Sequence, residues 1–187
     1  MDALAQGVLT YWQQIGPAGW YAGGEALDTE IRTRFGELWS QAKDGGLIHW
    51  LGSAEGALAY LLVTDQFPRN MFRDQAQAFA TDPAARVAAA RVWQHGFDLR
   101  IEGPLRQFFY LPMMHSETQT DQDRCVALFA ARMPGENLLH ARAHREVIRR
   151  FGRFPYRNAA LGRVDTADEQ AFLTKGGYGA IVRELGG

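Results

Sequence analysis

Apolar residues recur at three- and four-residue spacing along most of the chain, and no stretch shows the strict alternation of a half-buried strand. Over residues 28–43, Ile31, Phe35, Leu38, Trp39 and Ala42 share one face, and Asp44-Gly45-Gly46 ends the pattern. Ser53 is placed to cap a helix whose apolar residues run from Ala57 to Val63. Asp82-Pro83 opens another, with a capping carboxylate and a proline in the first turn, and Gly96 closes it. Two further helices are predicted over 122–133, stopped by Pro134, and over 136–151, ended by Gly152. Thr166 and Glu169 form a capping box for a helix that stops at Lys175-Gly176-Gly177. The predicted class is all-α, an array of antiparallel helical hairpins with short connections, forming a single domain over residues 1–175. The glycine-rich stretch 176–187 is expected to be a loose tail.

Two segments punctuate the chain alike, Phe67-Pro68-Arg69-Asn70 and Phe154-Pro155-Tyr156-Arg157-Asn158. Proline disfavours the helical conformation of the residue before it, so Phe67 and Phe154 are expected to be extended and buried at helix ends. Asp65 would then face the negative end of a helix dipole. A compensating arginine is expected, supplied by Arg69, Arg73, Arg153 or Arg157.

Apolar residues make up 47% of the 187, which is enough for a full core. The formal charge of −1 argues against a general nucleic-acid coat. Charge is nonetheless uneven: seven arginines fall between Arg142 and Arg163 against one acid, Glu146. Lys43 and Lys175 are the only lysines, so the basic charge is carried by planar guanidinium groups suited to bidentate pairing with carboxylates and phosphates. The single cysteine, Cys125, allows no disulfide within the chain and suits a reducing compartment. The opening Met1-Asp2-Ala3 lacks the basic stretch and apolar block of a signal peptide. The apolar run 57–63 falls far short of the ~20 residues that span a bilayer. A soluble, cytoplasmic protein without a membrane partner is expected.

His140 and His144 are four apart on the predicted 136–151 helix, so both rings share a face with Val147 and Phe151, while Arg142, Arg145 and Arg149 lie opposite. Ala141 follows His140, so the His-Glu pair of a zincin is missing. A third metal ligand could come only from His115 or Glu117, and no metal is expected. His115-Ser116-Glu117 follows an apolar turn, Leu111-Pro112-Met113-Met114. Ser116 is expected to cap the following helix. His115, Glu117 and His144 could serve proton transfer if the fold joins them. Gly23-Gly24 and Gly45-Gly46 lack the Lys-Ser/Thr continuation of a phosphate-binding loop, so no nucleotide cofactor is implied. Phe151, Phe154 and Tyr156 interleave with the arginines, but Arg142, Arg145 and Arg149 form an ordinary solvated face, and nucleic acid is not the expected partner.

Four motifs carry a family resemblance. They are Asp65-Gln66-Phe67-Pro68-Arg69-Asn70; Ala78-Phe79-Ala80-Thr81-Asp82; Phe109-Tyr110-Leu111-Pro112-Met113-Met114-His115-Ser116-Glu117; and Arg150-Phe151-Gly152-Arg153-Phe154-Pro155-Tyr156-Arg157-Asn158 with Leu161-Gly162-Arg163. In this order, from about Val8 to Gly177, they resemble the bacterial domain of unknown function 924. The resemblance implies a tetratricopeptide-like helical fold and no particular activity. The family usually has His where Tyr156 stands and Ser where Asp165 stands, and of the two helix histidines only His144 matches its motif.

The preferred functional expectation is a module binding a small anion or a peptide carboxylate through Asp65, Arg69, Asn70, Arg73, Arg153, Arg157, Asn158 and Arg163. The alternatives are an acid–base hydrolase using His115, Glu117 and His144, and a protein–protein scaffold. Free arginines favour the first; a histidine within reach of a glutamate favours the second.

Overall fold

The computed structural model describes Asp2 to Gly186, and among these residues all regular structure is helical. The chain groups into two compact units, one ending at Pro112 and one beginning at Met113.

The N-terminal unit holds α1 (Ala3–Trp20), α2 (Glu25–Lys43), α3 (Ala54–Leu61), α4 (Phe67–Met71) and α5 (Asp82–Gln94), with 3-10 turns between them. Asp2 caps α1 through the amides of Leu4 and Ala5. Ser53 caps α3 as expected, its Oγ accepting from the Gly56 amide at 3.1 Å. A Cβ at Gly56 would meet the Trp50 carbonyl oxygen at 2.3 Å, so only glycine lets the entering turn close on the helix. The core is aromatic. The Phe67 ring lies 4.7 Å from Phe35 and 5.5 Å from Trp12, and Phe108 packs 4.9 Å from Trp20.

Phe67 departs from expectation. It is buried, but its backbone is helical (φ −59°, ψ −39°) and begins α4 after the five residues that follow α3, with no extended break between them. The reason lies in Leu62–Gln66, a π-helical turn in which the Phe67 amide reaches back to the Leu62 carbonyl. This wider turn admits the Pro68 ring without stopping the helix. Pro68 has no N–H for the Thr64 carbonyl, and Thr81 supplies the missing donor through its hydroxyl at 2.6 Å. That hydroxyl in turn accepts from Trp39 Nε1 at 3.2 Å. Thr81, not Asp82, occupies the N-cap position of α5, and Asp82 turns instead to Arg69.

The C-terminal unit is entered through the short turn α6 (Leu111–Met114) and contains α7 (Gln119–Arg132), α8 (Glu136–Phe151), α9 (Ala167–Thr174) and α10 (Gly177–Gly186). Gly152, at φ 70°, ends α8 through its amide on the Ile148 carbonyl. Phe154 is extended and buried, as predicted. The Thr166–Glu169 capping box starts α9. The expected loose tail is corrected by α10: Tyr178, Ile181 and Val182 fall at helical spacing and pack with Val147, Ile148, Phe154 and Phe172. Glycine content masked that stripe, because burial of these side chains outweighs the conformational cost of the glycines. Ser116 does not take the N-cap position of α7, which Thr118 occupies. It is buried just before that helix, donating to Asp121 at 2.7 Å and accepting from the Thr118 amide.

Candidate functional site

The arginine-asparagine motif of the N-terminal unit opens on a cleft of about 430 Å³ at the start of α2, lined by Gly24, Asp28, Thr29, Arg32, Asn70 and Arg73 among others. Gly24 precedes the helix at φ 120° and no side chain caps it, so the first amides of α2 end at the cleft without a side-chain acceptor. Arg73 grips Asp28 bidentately, Nε to Oδ2 at 2.8 Å and Nη2 to Oδ1 at 2.9 Å, and Asn70 Nδ2 adds a bond at 2.8 Å. Burial works to raise the Asp28 pKa, but the bonds from Arg73 and Asn70 outweigh it and hold the carboxyl below its ordinary value. Asp28 is thus a fixed anion gripped by Arg73, and the nearby Arg32 charge adds to the lowering of its pKa.

Arg32 differs from the other guanidinium groups here. Its Nε and Nη2 both donate to the Met71 carbonyl, the first at 2.9 Å, and no carboxylate among the described residues pairs with it. Its hydrogen bonds thus go to a neutral acceptor, with Nη1 left over, and its pull on a carboxylate is the longer-range one on Asp28. Glu25 is the cleft's other acid and stands exposed to solvent.

Asp65 and Arg69 do not line this cleft. Asp65 is 1% exposed; its Oδ1 lies 3.2 Å from Arg69 Nη1, and its Oδ2 accepts from Gln66 Nε2. Arg69 also donates to the Asp65 carbonyl and reaches Asp82 at 3.0 Å. The expected compensating arginine is thus Arg69, four residues on. The pair is a structural tie across the π-helical turn, bridging α4 to the start of α5.

In the C-terminal unit most of the predicted cations are also spoken for. Arg153 binds Glu169 through two bonds of 2.6 and 2.7 Å and the Val164 carbonyl through a third. Arg163 holds both oxygens of Glu117 at 2.9 Å, and the Phe154 amide donates to the same carboxylate. Asn158 is buried and donates to Asp165 at 2.6 Å. Arg157 is 7% exposed and lies 4.5 Å from the centre of the Phe154 ring. Burial pushes the Glu117 pKa up, and Arg163, the Phe154 amide and Arg157 together bring it below its usual value. Glu117 is a carboxylate fixed by partners rather than one waiting for a proton.

The histidines do come together. The His115 and His144 rings are 6.3 Å apart, and His144 packs 4.6 Å from Tyr178 and 5.6 Å from Phe154. His140 Nδ1 meets the Tyr178 hydroxyl at 2.7 Å. Burial drives the His144 pKa down to about 3, with the His140 carbonyl opposing the effect and His115, Arg157 and His140 adding to it. Among the described residues no three His, Cys, Asp or Glu side chains are grouped to hold a metal ion.

Arg32, Asp28 and Tyr178 lie outside the motifs that mark a site in the sequence. Arg32 sits one turn after Asp28, a local signal that was available. The Asp28–Arg73 pair spans 45 residues and leaves none.

The chain is 40% identical to a protein of unknown function, ATU0120 from Agrobacterium tumefaciens, whose structure superposes with a TM-score of 0.89 over 92% of this chain and 98% of that one. No curated protein matches. A family model described as bacterial protein of unknown function, DUF924, matches residues 8–177, and the chain belongs to that family.

Proposed function

We propose that the protein is a binding module that takes a small anion, the phosphate or carboxylate group of a small ligand or peptide, in the cleft at the start of α2. One observation carries the reading: Arg32 presents a guanidinium charge, held by the neutral Met71 carbonyl, where Arg69, Arg153 and Arg163 each grip a carboxylate. An anion there would meet Arg32, the remaining Arg73 nitrogen and the first amides of α2, whose dipole also favours negative charge. Of the expected ligand residues, Asn70 and Arg73 remain in the reading through this cleft. Asp65 and Arg69 are assigned to stability, as are Arg153, Asn158 and Arg163. The hydrolase alternative has less support, since both Glu117 oxygens are held by Arg163. Among the described residues no helix is long and apolar enough to cross a membrane. Cys125 is buried and desolvation raises its thiol pKa, which argues against a nucleophilic role for it.

Isothermal titration with inorganic phosphate and with acetate tests the proposal. Arg32→Ala should weaken binding about 10- to 100-fold, corresponding to one charge-assisted contact of about 1.5–3 kcal/mol. Arg34→Ala, which removes an exposed cation paired with Glu30, should leave binding unchanged. Equal affinity in the parent and Arg32→Ala would remove the cleft as the site.

A further inference from the structure

One side of the cleft at the start of α2 is a single helix face: Glu25, Asp28, Thr29 and Arg32 stand at i, i+3, i+4 and i+7, and all four line it. Pairing along that helix is uneven. Glu30 and Arg34, outside the cleft, make the ion pair that their four-residue spacing allows, at 3.1 Å. Asp28 and Arg32 have the same spacing and order, yet Arg73 takes both Asp28 oxygens and the Met71 carbonyl takes Arg32. Glu25 has no cation one turn on, since Asp28 follows at i+3 and Thr29 at i+4. Among the described residues no cation reaches its carboxylate, which stands exposed in the cleft.

The unmatched charges therefore separate along the helix. Asp28 and Arg73 are joined in the middle, and Arg32 acts on Asp28 only at longer range. Arg32 is positive at one end and Glu25 negative at the other, with about 10 Å of helical rise between their positions. The lining carries two acids, Glu25 and Asp28, and two arginines, Arg32 and Arg73, so its charges sum to zero. A bare anion gains from Arg32 but is opposed by Glu25. A molecule with an anion at one end and an ammonium at the other meets both groups with the opposite sign.

We propose, resting on the reading of this cleft as an anion site, that its ligand is dipolar: an anionic group seated by Arg32 and the free edge of Arg73, joined by a flexible chain to an ammonium that pairs with Glu25. The class is that of amino-alkyl phosphates and long-chain amino acids rather than simple anions.

Titration calorimetry on the full chain compares two matched pairs, hexyl phosphate with 6-aminohexyl phosphate and hexanoate with 6-aminohexanoate. The pair that binds more tightly identifies the anionic group. Within it the amine should bind about 2- to 5-fold more tightly, the worth of an exposed ion pair, and added salt should shrink that gain. Glu25→Gln should abolish the gain and, with one negative charge removed, tighten binding of the amine-free partner. A damaged fold would weaken both ligands, so the opposite signs isolate the charge of Glu25. Arg32→Ala should weaken both. If the amine-free probe binds through Arg32 and the amine adds nothing, the anion cleft stands and the dipolar ligand is refuted. A preference for the amine that survives Glu25→Gln refutes it equally. If no probe binds the parent protein, the cleft and its dipolar ligand fall together.

Discussion

Replacing Asp65 with asparagine keeps the side-chain volume and removes one charge from a buried group, so the effect measures electrostatics rather than packing. Asp65 is 1% exposed, and Arg69 is committed to it through both the carboxylate and the backbone carbonyl. Removing one member of a buried ion pair costs about 3–5 kcal/mol because the partner charge is left without compensation. Here Arg69 keeps Asp82 at 3.0 Å, and its side chain is 21% exposed, which places the expected loss near the lower end, about 3 kcal/mol. The introduced amide also cannot accept from both Arg69 and Gln66, whose Nε2 now faces the carboxylate. For a chain of this size each kcal/mol lowers Tm by about 2–4 °C, so a drop of about 6–12 °C is expected in thermal unfolding followed by circular dichroism. The double variant Asp65→Asn with Arg69→Met should be less destabilised than the two single losses summed, because the stranded cation is gone. A Tm within about 2 °C of the parent would refute the reasoning and make Asp65 a solvated group.

Two other perturbations follow from the same kind of contact. Thr81→Val keeps the shape of the side chain but strands the Thr64 carbonyl and the Trp39 indole N–H together, and urea unfolding should show a loss of about 2–4 kcal/mol. Glu169 is held at a pKa of about 2, first by Arg153 and then by the Thr166 amide, against an ordinary 4.5. A depressed carboxyl stabilises the folded state above its unfolded pKa, and that contribution fades as pH falls from about 4.5 to about 2. Glu169→Gln should therefore be less stable than the parent at pH 7, with the two stability curves converging through that window. A constant gap down to pH 2 would contradict the assignment.

The helical class, the glycine stops at Gly96 and Gly152, the Ser53 cap and the Thr166–Glu169 box were legible because each depends on residues within one turn of each other. A compensating arginine for Asp65 was legible, but Arg69 was only one of four candidates, and the fold selects it. Phe67 breaks the rule for residues before proline because that rule assumes an ordinary α-turn, whereas the π-helical turn at Leu62–Gln66 and the distant Thr81 hydroxyl relieve the conflict. The last helix is hidden because its glycines dominate the local propensity, while the packing that orders Tyr178 and Ile181 comes from α8 and from Phe172. The site was the least legible part. Arginine and asparagine types marked where polar groups gather, but which cations are already matched depends on partners such as Asp28 for Arg73 and Glu117 for Arg163, 45 and 46 residues away. Pairing is a property of the folded chain, and it centres the proposed anion site on Arg32, beside the predicted Asn70 and Arg73.

The most direct test of the anion cleft is crystallographic, with parent crystals soaked in selenate and the anomalous signal of selenium located. Selenate, a divalent tetrahedral anion, should sit beside Arg32 and the exposed edge of Arg73 at the start of α2, and crystals of Arg32→Ala treated in the same way should lose that peak. Selenate bound elsewhere with the cleft empty, or a peak at the cleft that persists in Arg32→Ala, would contradict the account.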